Sequence, residues 1–551
     1  MELLETLFSF AGGLGMFLYG MHIMGDGLQK AAGEKMKHFL EILTSNRFMA
    51  VLVGSLTTAI IQSSSATTVM VVGFVNAGLL TLTQATGIIM GANVGTTITS
   101  WIVSLNEIPW AAVFKPSFFA PLLVGIGAFV VMSAKTEKKQ DAGEILTGFG
   151  ILFIGLEFMS SAIEPYSDSP LFSNAFAVLG KKPFLGILAG AAVTAIIQSS
   201  SASVGILQTL ALNGVVNWNS AVYITLGQNI GTCITALLSS TGANKTAKRA
   251  AVIHLLFNAV GAIVFGIALY IIFALNHAFA VSSISSVDIS IFHTIFNITN
   301  TILLFPFANL LVKVSGVLVK DNDENEEHNL IRETLKHLDD RILETPSFAI
   351  ETAEKEIIQM GKISLDNCRL SIECLIDRKN KEEKVIEQEE IIDKLEHYIT
   401  QYLIKINKLS LSERQQLIVN HMFYTISNME RVGDHAENLA EMSLHMRKKN
   451  LVFSEEAIAD LRKISRQTLD AYENAVLARE TENMEYVQNV VKSEDLVDAM
   501  EQEMRESHVS RLSNEFCTTE AGVLFVDTLV NLERISDHSM NIAEYLKEEL
   551  D

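Results

Sequence analysis

The sequence predicts an all-α, polytopic membrane protein of inverted repeats with two re-entrant hairpins, followed by a helical bundle of two three-helix repeats. Three observations carry this. Apolar runs long enough to cross a bilayer fill residues 1–320 and stop there. A polar box, Gln62-Ser63-Ser64-Ser65-Ala66, interrupts one apolar stretch and recurs 136 residues later as Gln198-Ser199-Ser200-Ser201-Ala202. Beyond residue 350 the chain turns acidic, with apolar residues at heptad-like spacing.

A lipid-spanning helix needs about 20 mostly apolar residues. Such runs fall near 6–25, 84–105, 111–133, 142–163, 219–240, 250–275 and 291–315. The N-terminus carries Glu2 and Glu5 and no basic flank, so it reads as the first span rather than a cleaved signal peptide. Two more apolar regions, 48–79 and 183–216, hold the polar boxes. Each is too long for one span, and its arms of about 15 residues rise only about 22 Å. That falls short of a hydrocarbon core of about 30 Å. Two short arms around a polar break predict a hairpin whose non-helical tip lines a cavity.

The duplication extends well past the boxes. At the same offset Gly91 meets Gly227, Asn93-Val94-Gly95-Thr96 meets Asn229-Ile230-Gly231-Thr232, and Thr99 meets Thr235. The repeats cover about 1–135 and 141–275, with an extra helix at 291–315 closing a membrane domain of 1–320. Three spans plus a hairpin make an odd number of crossings, so the second copy is inverted. With the N-terminus outside, Lys30, Lys35, Lys37 and Arg47 fall inside, as do Lys135, Lys138, Lys139, Lys245, Lys248, Arg249, Lys313 and Lys320. Only Lys181 and Lys182 go against the positive-inside rule. Inverted repeats with broken elements meeting near mid-membrane are the layout of secondary transporters.

Charge divides the chain. Residues 1–320 hold 15 Lys+Arg against 13 Asp+Glu, so the remainder carries −23 of the total −21. An acidic half lacks the basic face that a nucleic-acid partner requires. Cys233, Cys368, Cys374 and Cys517 form no Cys-x-x-Cys pair and are expected as free thiols in a reducing compartment. No nucleotide-binding loop or nucleophile–base constellation appears, so no enzymatic activity is expected.

At each hairpin tip, Ser63, Ser64, Ser65 and Ser199, Ser200, Ser201 offer hydroxyl donors beside the unpaired N–H groups that open the second arm, here placed at the third serine. Helix dipole and donors together suit an anion. The carbonyls of Gln62 and Gln198, with hydroxyl and backbone oxygens, suit a small hard cation such as sodium. No arginine lies within a span, so a bound anion needs co-bound cations, a basis for coupled transport. Lys115 is read as a snorkelling interfacial residue. His22 and Glu157 occupy matching places in the first and fourth spans, where an aqueous vestibule and a functional role are both open. His254-x-x-Phe257-Asn258 and His293-x-x-Phe296-Asn297 are read as helix–helix hydrogen-bonding patterns.

These motifs resemble the type II sodium–phosphate cotransporters, in which two Gln-Ser-Ser-Ser hairpins are each followed by Gly-x-Asn-x-Gly-Thr. Here those segments are Gly91–Thr96 and Gly227–Thr232, and the resemblance covers about residues 1–315. It implies that the six serines bind phosphate and that Gln198, Ser199, Thr232 and Thr235 contribute to a sodium site. Gln62, Thr96 and Thr99 are their symmetry mates, with Asn93 and Asn229 alongside. The first repeat departs from this pattern: its third span lacks His-x-x-Phe-Asn and no aspartate lies within its predicted spans.

A charged linker at 321–328 and a short helix at 330–344 lead to long helices near 350–378, 383–407, 413–447, 454–480, 485–511 and 518–548. Glu430…Asp434 recurs as Glu533…Asp537 inside a Glu-Arg-x-x-Asp-His motif, and Glu389…Asp393 recurs as Glu494…Asp498. Each pair sets two carboxylates on one helix face, an oxygen-rich arrangement suited to a divalent or ferric metal. Residues 350–551 resemble the PhoU family of phosphate-regulatory proteins, whose repeats bind metal clusters through this acidic motif. Together the resemblances imply sodium-coupled phosphate transport across the cytoplasmic membrane, regulated by a cytoplasmic PhoU-like domain. The expected partners are inorganic phosphate, the lipid bilayer, and a homo-oligomer or regulatory protein bound through the C-terminal domain. A phosphate sensor without transport, a transporter of another anion, and a phosphate exporter stay open as alternatives.

Overall fold

The computed structural model describes residues 2–32, 46–107, 116–166, 169–319, 337–513 and 518–550. Lys35, Lys37, Lys115, Lys320, Cys517, the 321–328 linker and residues 330–336 of the predicted short helix lie outside them. Among the described residues the chain is helical, with no strand and one isolated bridge, Asn217 to Ser283. It divides into two compact units: Met1–Glu326 with Asp339–Phe348, and Glu327–Leu338 with Ala349–Asp551.

Among the described residues of the first unit, seven helices are long and apolar enough to span a membrane. They are α1 (Glu2–Ala32), the pair α4 (Leu82–Gly95) and α5 (Thr97–Ser104), α6 (Pro116–Ser133) and α7 (Glu137–Ile163). The pair α11 (Trp218–Gly231) and α12 (Cys233–Ser239), then α13 (Lys245–Leu275), follow after the second hairpin. The last, α15 (Ser286–Leu304) and α16 (Ala308–Leu318), is interrupted by a 3-10 turn at Phe305–Phe307, where Pro306 removes a backbone donor. A short helix, α14 (His277–Ala280), precedes it.

Three expectations need correction. Helix α1 continues to Ala32, which places Asp26 within a helix of the first repeat. Helix α7 begins at Glu137, a turn earlier than the apolar run, and buries Asp141. A further helix, α8 (Pro170–Lys181), precedes the second hairpin and meets its first arm at a 113° bend. Pro183 at the start of that arm explains the break.

The site-bearing spans are interior: 72% of the apolar window is buried for Leu82–Glu107 and for Trp218–Ser239, against 11% for Pro116–Ser133. Phe118, Phe129, Met132 and Leu275 are exposed, as a lipid-facing surface allows.

Glycines show how the halves are related. A Cβ on Gly20 would meet the Gly148 carbonyl at 2.6 Å, and one on Gly148 would meet the Gly20 carbonyl at 2.6 Å. Gly13 and Gly155 face each other in the same way, at 2.9 and 2.6 Å. Position rises on α1 as it falls on α7, so the first helices of the two repeats run antiparallel. The 135-residue offset exchanges one pair for the other, Gly13 for Gly148 and Gly20 for Gly155. This is an inverted repeat with its two-fold axis between α1 and α7.

Among the described residues the second unit holds six long helices: α17 (Pro346–Ile376), which enters it at Ala349, α18 (Glu382–Ile406), α19 (Glu413–Lys448), α20 (Glu455–Thr481), α21 (Met484–Ser513) and α22 (Thr519–Leu550). Ser412 opens α19 with a capping box to Gln415, and Ser454 caps α20. Its repeats also meet as mates: His435 Nδ1 lies 2.8 Å from Asn531 Oδ1, and His538 Nδ1 lies 2.9 Å from Asn428 Oδ1. In place of the predicted helix to residue 344, a 3-10 turn at Asp340–Glu344 packs within the first unit.

Candidate functional site

Each polar box breaks an apolar segment into two short helices: α2 (Arg47–Ile61) and α3 (Ser64–Asn76), then α9 (Pro183–Ile197) and α10 (Ser200–Leu212). The reversals occur at Gln62 and Gln198, which adopt left-handed backbones at φ 58° and 57°. The second arms begin one residue earlier than predicted, at Ser64 and Ser200. The first serine of each box is the N-cap: Ser63 Oγ accepts from Ala66 N at 3.1 Å, and Ser199 Oγ from Ala202 N at 3.2 Å. The arms are pinned together by Thr58 Oγ1 to Thr67 Oγ1 at 3.0 Å and Thr194 Oγ1 to Ser203 Oγ at 2.8 Å.

The two tips meet. Ser64 Oγ lies 3.4 Å from Ser200 Oγ, 136 residues away in the chain. Both are the first residues of 13-residue helices, and both are buried. Two helix N-termini therefore face one point, each offering unpaired N–H groups and the positive end of its dipole. Ser65 and Ser201 sit beside them on the first turns, half-buried and buried respectively.

Close backbone approach holds this arrangement. A Cβ on Gly91 would overlap the Val51 carbonyl, and one on Gly227 would overlap the Ile187 carbonyl. Thus α2 lies directly on α4, and α9 lies directly on α11. The Gln208 amide ties the second hairpin to the rest of the unit, donating to Ser100 O at 3.0 Å, Ser286 O at 3.2 Å and Ser290 Oγ at 2.9 Å.

The Asn-x-Gly-Thr segments offer the opposite chemistry. Asn93 Nδ2 donates to Ile89 O at 2.8 Å, and Asn229 Nδ2 donates to Thr225 O at 2.9 Å. Thr96 gives its hydroxyl hydrogen to Ala92 O and Thr232 gives its own to Gln228 O. With hydrogens directed back along the helix, these side chains present oxygen lone pairs, the donor set of a hard cation. Hydrogen donors at the tips and oxygen lone pairs on the Asn-x-Gly-Thr segments are the complementary chemistries that an anion and a hard cation require.

The halves are chemically alike but not in the same state. Gln62 is buried and its Oε1 accepts from Thr99 Oγ1 at 2.9 Å. Its mate Gln198 is exposed, and Thr235 turns back to Thr232 O at 3.0 Å. Gln228, which replaces Ala92 of the first repeat, was missed by the sequence reading. It donates to Ser203 O at 2.9 Å while its Oε1 is buried without a partner. An amide where the mate is alanine was the signal available. His254 and His293 are buried, with Asn258 and Asn297 bonded to their backbone carbonyls, whereas His22 and Glu157 are exposed.

In the second unit, Glu389, Asp393 and Asp434 each place a ligand oxygen within 4.8 Å of the others, as do Glu494, Asp498 and Asp537. Glu430 and Glu533 stand outside these trios, though Asp434 and Asp393 act on Glu430, and Asp537 and Asp498 on Glu533. Burial, then the neighbouring Asp393, pushes Glu389 up to about 8, and burial with Asp434 pushes Glu430 up to about 7. Asp434, Glu494, Glu533 and Asp537 are raised as well, burial first. Buried Glu389 also has an unpartnered Oε1. Carboxylates crowded on one face, with Glu389 and Glu430 held well above the usual range, fit a hard multivalent cation.

A carboxylate whose folded pKa is raised adds stability below its unfolded value and loses it as pH rises through the folded value. The metal-stripped chain is expected to lose several degrees of Tm between pH 5 and 8, and Mn²⁺ or Fe³⁺ to restore them at pH 8. Calorimetry showing a flat profile with no response to metal would count against the trios as metal sites.

A duplicated serine-tipped hairpin meeting its inverted copy inside a multi-pass helical unit is the architecture of a membrane transporter. The chain belongs to the Na+/Pi-cotransporter family, whose model matches residues 16–161 and 168–302, and PhoU domains match residues 357–443 and 461–546. It is 25% identical over 553 residues to the "Putative inorganic phosphate export protein YjbB" of Salmonella typhimurium, covering 99% of this chain and 98% of that one. It is 36% identical over 109 residues to human sodium-dependent phosphate transport protein 2B, covering 19% of this chain and 16% of that one. The PhoU crystal structure from Pseudomonas aeruginosa matches at 19% identity and a TM-score of 0.35, over 37% of this chain and 97% of that one.

Proposed function

We propose that this protein couples sodium to the movement of inorganic phosphate across the cytoplasmic membrane, and that its PhoU-like unit is cytoplasmic and regulates that movement. The observation that carries this reading is the meeting of Ser64 and Ser200 at the N-termini of two inverted helices. Ser63, Ser64, Ser65 and Ser199, Ser200, Ser201 bind phosphate through N–H and O–H donors. Gln62, Asn93, Thr96, Thr99 and Gln198, Ser199, Asn229, Thr232, Thr235 bind sodium through oxygens, with membrane domain 1–320 followed by linker 321–349 and regulatory domain 350–551. Glu389, Asp393, Asp434 and Glu494, Asp498, Asp537 hold a divalent or ferric metal, with Glu430 and Glu533 beside them.

Co-binding gives coupling: each ion raises the affinity for the other by the same factor. The unequal repeats suggest how the site changes sides. The first hairpin is closed on Thr99 while the second is open at Gln198. If the inverted halves exchange these states, access reverses without new contacts having to be invented.

Export is the second reading, favoured by the name of a relative that matches nearly end to end. Labelled phosphate in proteoliposomes separates the two. A sodium gradient should speed phosphate flux along it by about tenfold or more. Flux indifferent to sodium would remove the coupling, and no counterflow of labelled phosphate would leave a sensor in place of a transporter.

A further inference from the structure

We propose that residues Asp339–Phe348 form a latch on the first hairpin, through which the C-terminal unit sets the rate of transport; this rests on the transport reading above. These ten residues pack within the membrane unit although Leu338 before them and Ala349 after them belong to the second. Ile342 and Thr345 are fully buried, and Phe348 nearly so. Phe348 meets Phe74 of α3 edge-on, with centroids 5.5 Å apart. Asp339 caps its own 3-10 turn through Arg341 N at 2.9 Å and accepts from Asn76 Nδ2 at 2.6 Å.

Asn76 is the joint. It ends α3, and its Oδ1 accepts from Asn244 N at 2.7 Å while its carbonyl accepts from Asn244 Nδ2 at 2.8 Å. Asn244 in turn caps α13 through Ala247 N at 2.8 Å. One side chain thus binds the hairpin, the start of α13 and the latch together. Gly73 lets the latch close in: a Cβ there would stand 3.0 Å from Arg341 Cβ and 3.2 Å from Ile342 Cγ1.

Only one hairpin is built for this. At the 136-residue offset Gly73 becomes Thr209 and Asn76 becomes Leu212, so the second repeat has neither the gap nor the amide. An inverted repeat needs no such asymmetry for transport itself. Helix α3 is also a rigid connection, with its far end at Ser64, twelve residues or about 18 Å from the latch. Holding the Asn76 end restrains the tip. Because the latch is flanked by the second unit on both sides, a rearrangement there reaches it through the chain.

A reversible cross-link tests this in the full chain. Gly73→Cys with Arg341→Cys sets two Cβ atoms 3.0 Å apart, about 0.8 Å inside the roughly 3.8 Å that a disulfide prefers, so the turn at Arg341 has to give by that much for the bond to close. Oxidation should lower phosphate flux in proteoliposomes by about tenfold or more, and reduction should restore it. A cross-linked protein that transports as fast as the reduced one overturns the latch. Should the double variant fail to cross-link or be inactive when reduced, Asn76→Ala is read instead. It should raise flux at saturating phosphate about threefold or more, and an equal or lower rate overturns the proposal. If the unaltered chain moves no phosphate, the transport reading fails by itself. Hydrogen exchange then decides: Asn76→Ala must speed exchange at both 339–348 and Ser64–Ser65, and a change confined to the former overturns the latch.

Discussion

Ser200→Ala is expected to lower phosphate flux at low phosphate by on the order of a hundredfold while expression and detergent stability are unchanged. The hydroxyl lies 3.4 Å from its mate Ser64, at a point where both helix N-termini present their dipoles. A hydrogen bond to a charged group contributes about 1.5–3 kcal/mol, and a buried phosphate oxygen left without it finds no water to replace it. The loss should be mostly in apparent phosphate affinity, with sodium affinity measured alone nearly intact. Ser64→Ala should behave likewise, because the two residues are equivalent by symmetry. Uptake curves that superimpose on those of the unaltered chain would remove the serine tips from the mechanism.

Gly91→Val should be still more damaging, and by another route. Its Cβ would collide with the Val51 carbonyl and stand 2.8 Å from Ser55 N, so α2 would be pushed off α4. Backbone atoms cannot turn aside as a side chain can, and the cost should exceed about 3 kcal/mol. The variant is expected to be recovered in low yield as aggregate, with Gly227→Val behaving the same way. Gly12→Ala is the control, since nothing lies within 4 Å of a Cβ there. Equal yields and melting temperatures for Gly91→Val and Gly12→Ala would refute the packing account.

Much of this architecture was legible as pattern. Runs of apolar residues mark spans because lipid leaves backbone groups no partner but each other. The doubled boxes at Gln62 and Gln198 stood out because hydroxyls and amides are costly in such runs. The six acidic helices were placed to within a few residues, since an amphipathic period reports a buried face directly. The helix preceding the second hairpin was not found. Pro170–Lys181 is short, and without a bilayer-length run it has no signature that separates it from a loop.

The sequence by itself determined which groups are present twice, their order and spacing, and hence an inverted repeat with a polar break in each of two hairpins. Tertiary structure alone decided that Ser64 and Ser200 touch, that Gln62 is closed while Gln198 is open, and that Asp339 reaches back to Asn76. The reason is physical. Composition and period act over a few turns of helix, whereas contacts across 136 or 263 residues depend on how whole helices pack, which no local pattern encodes.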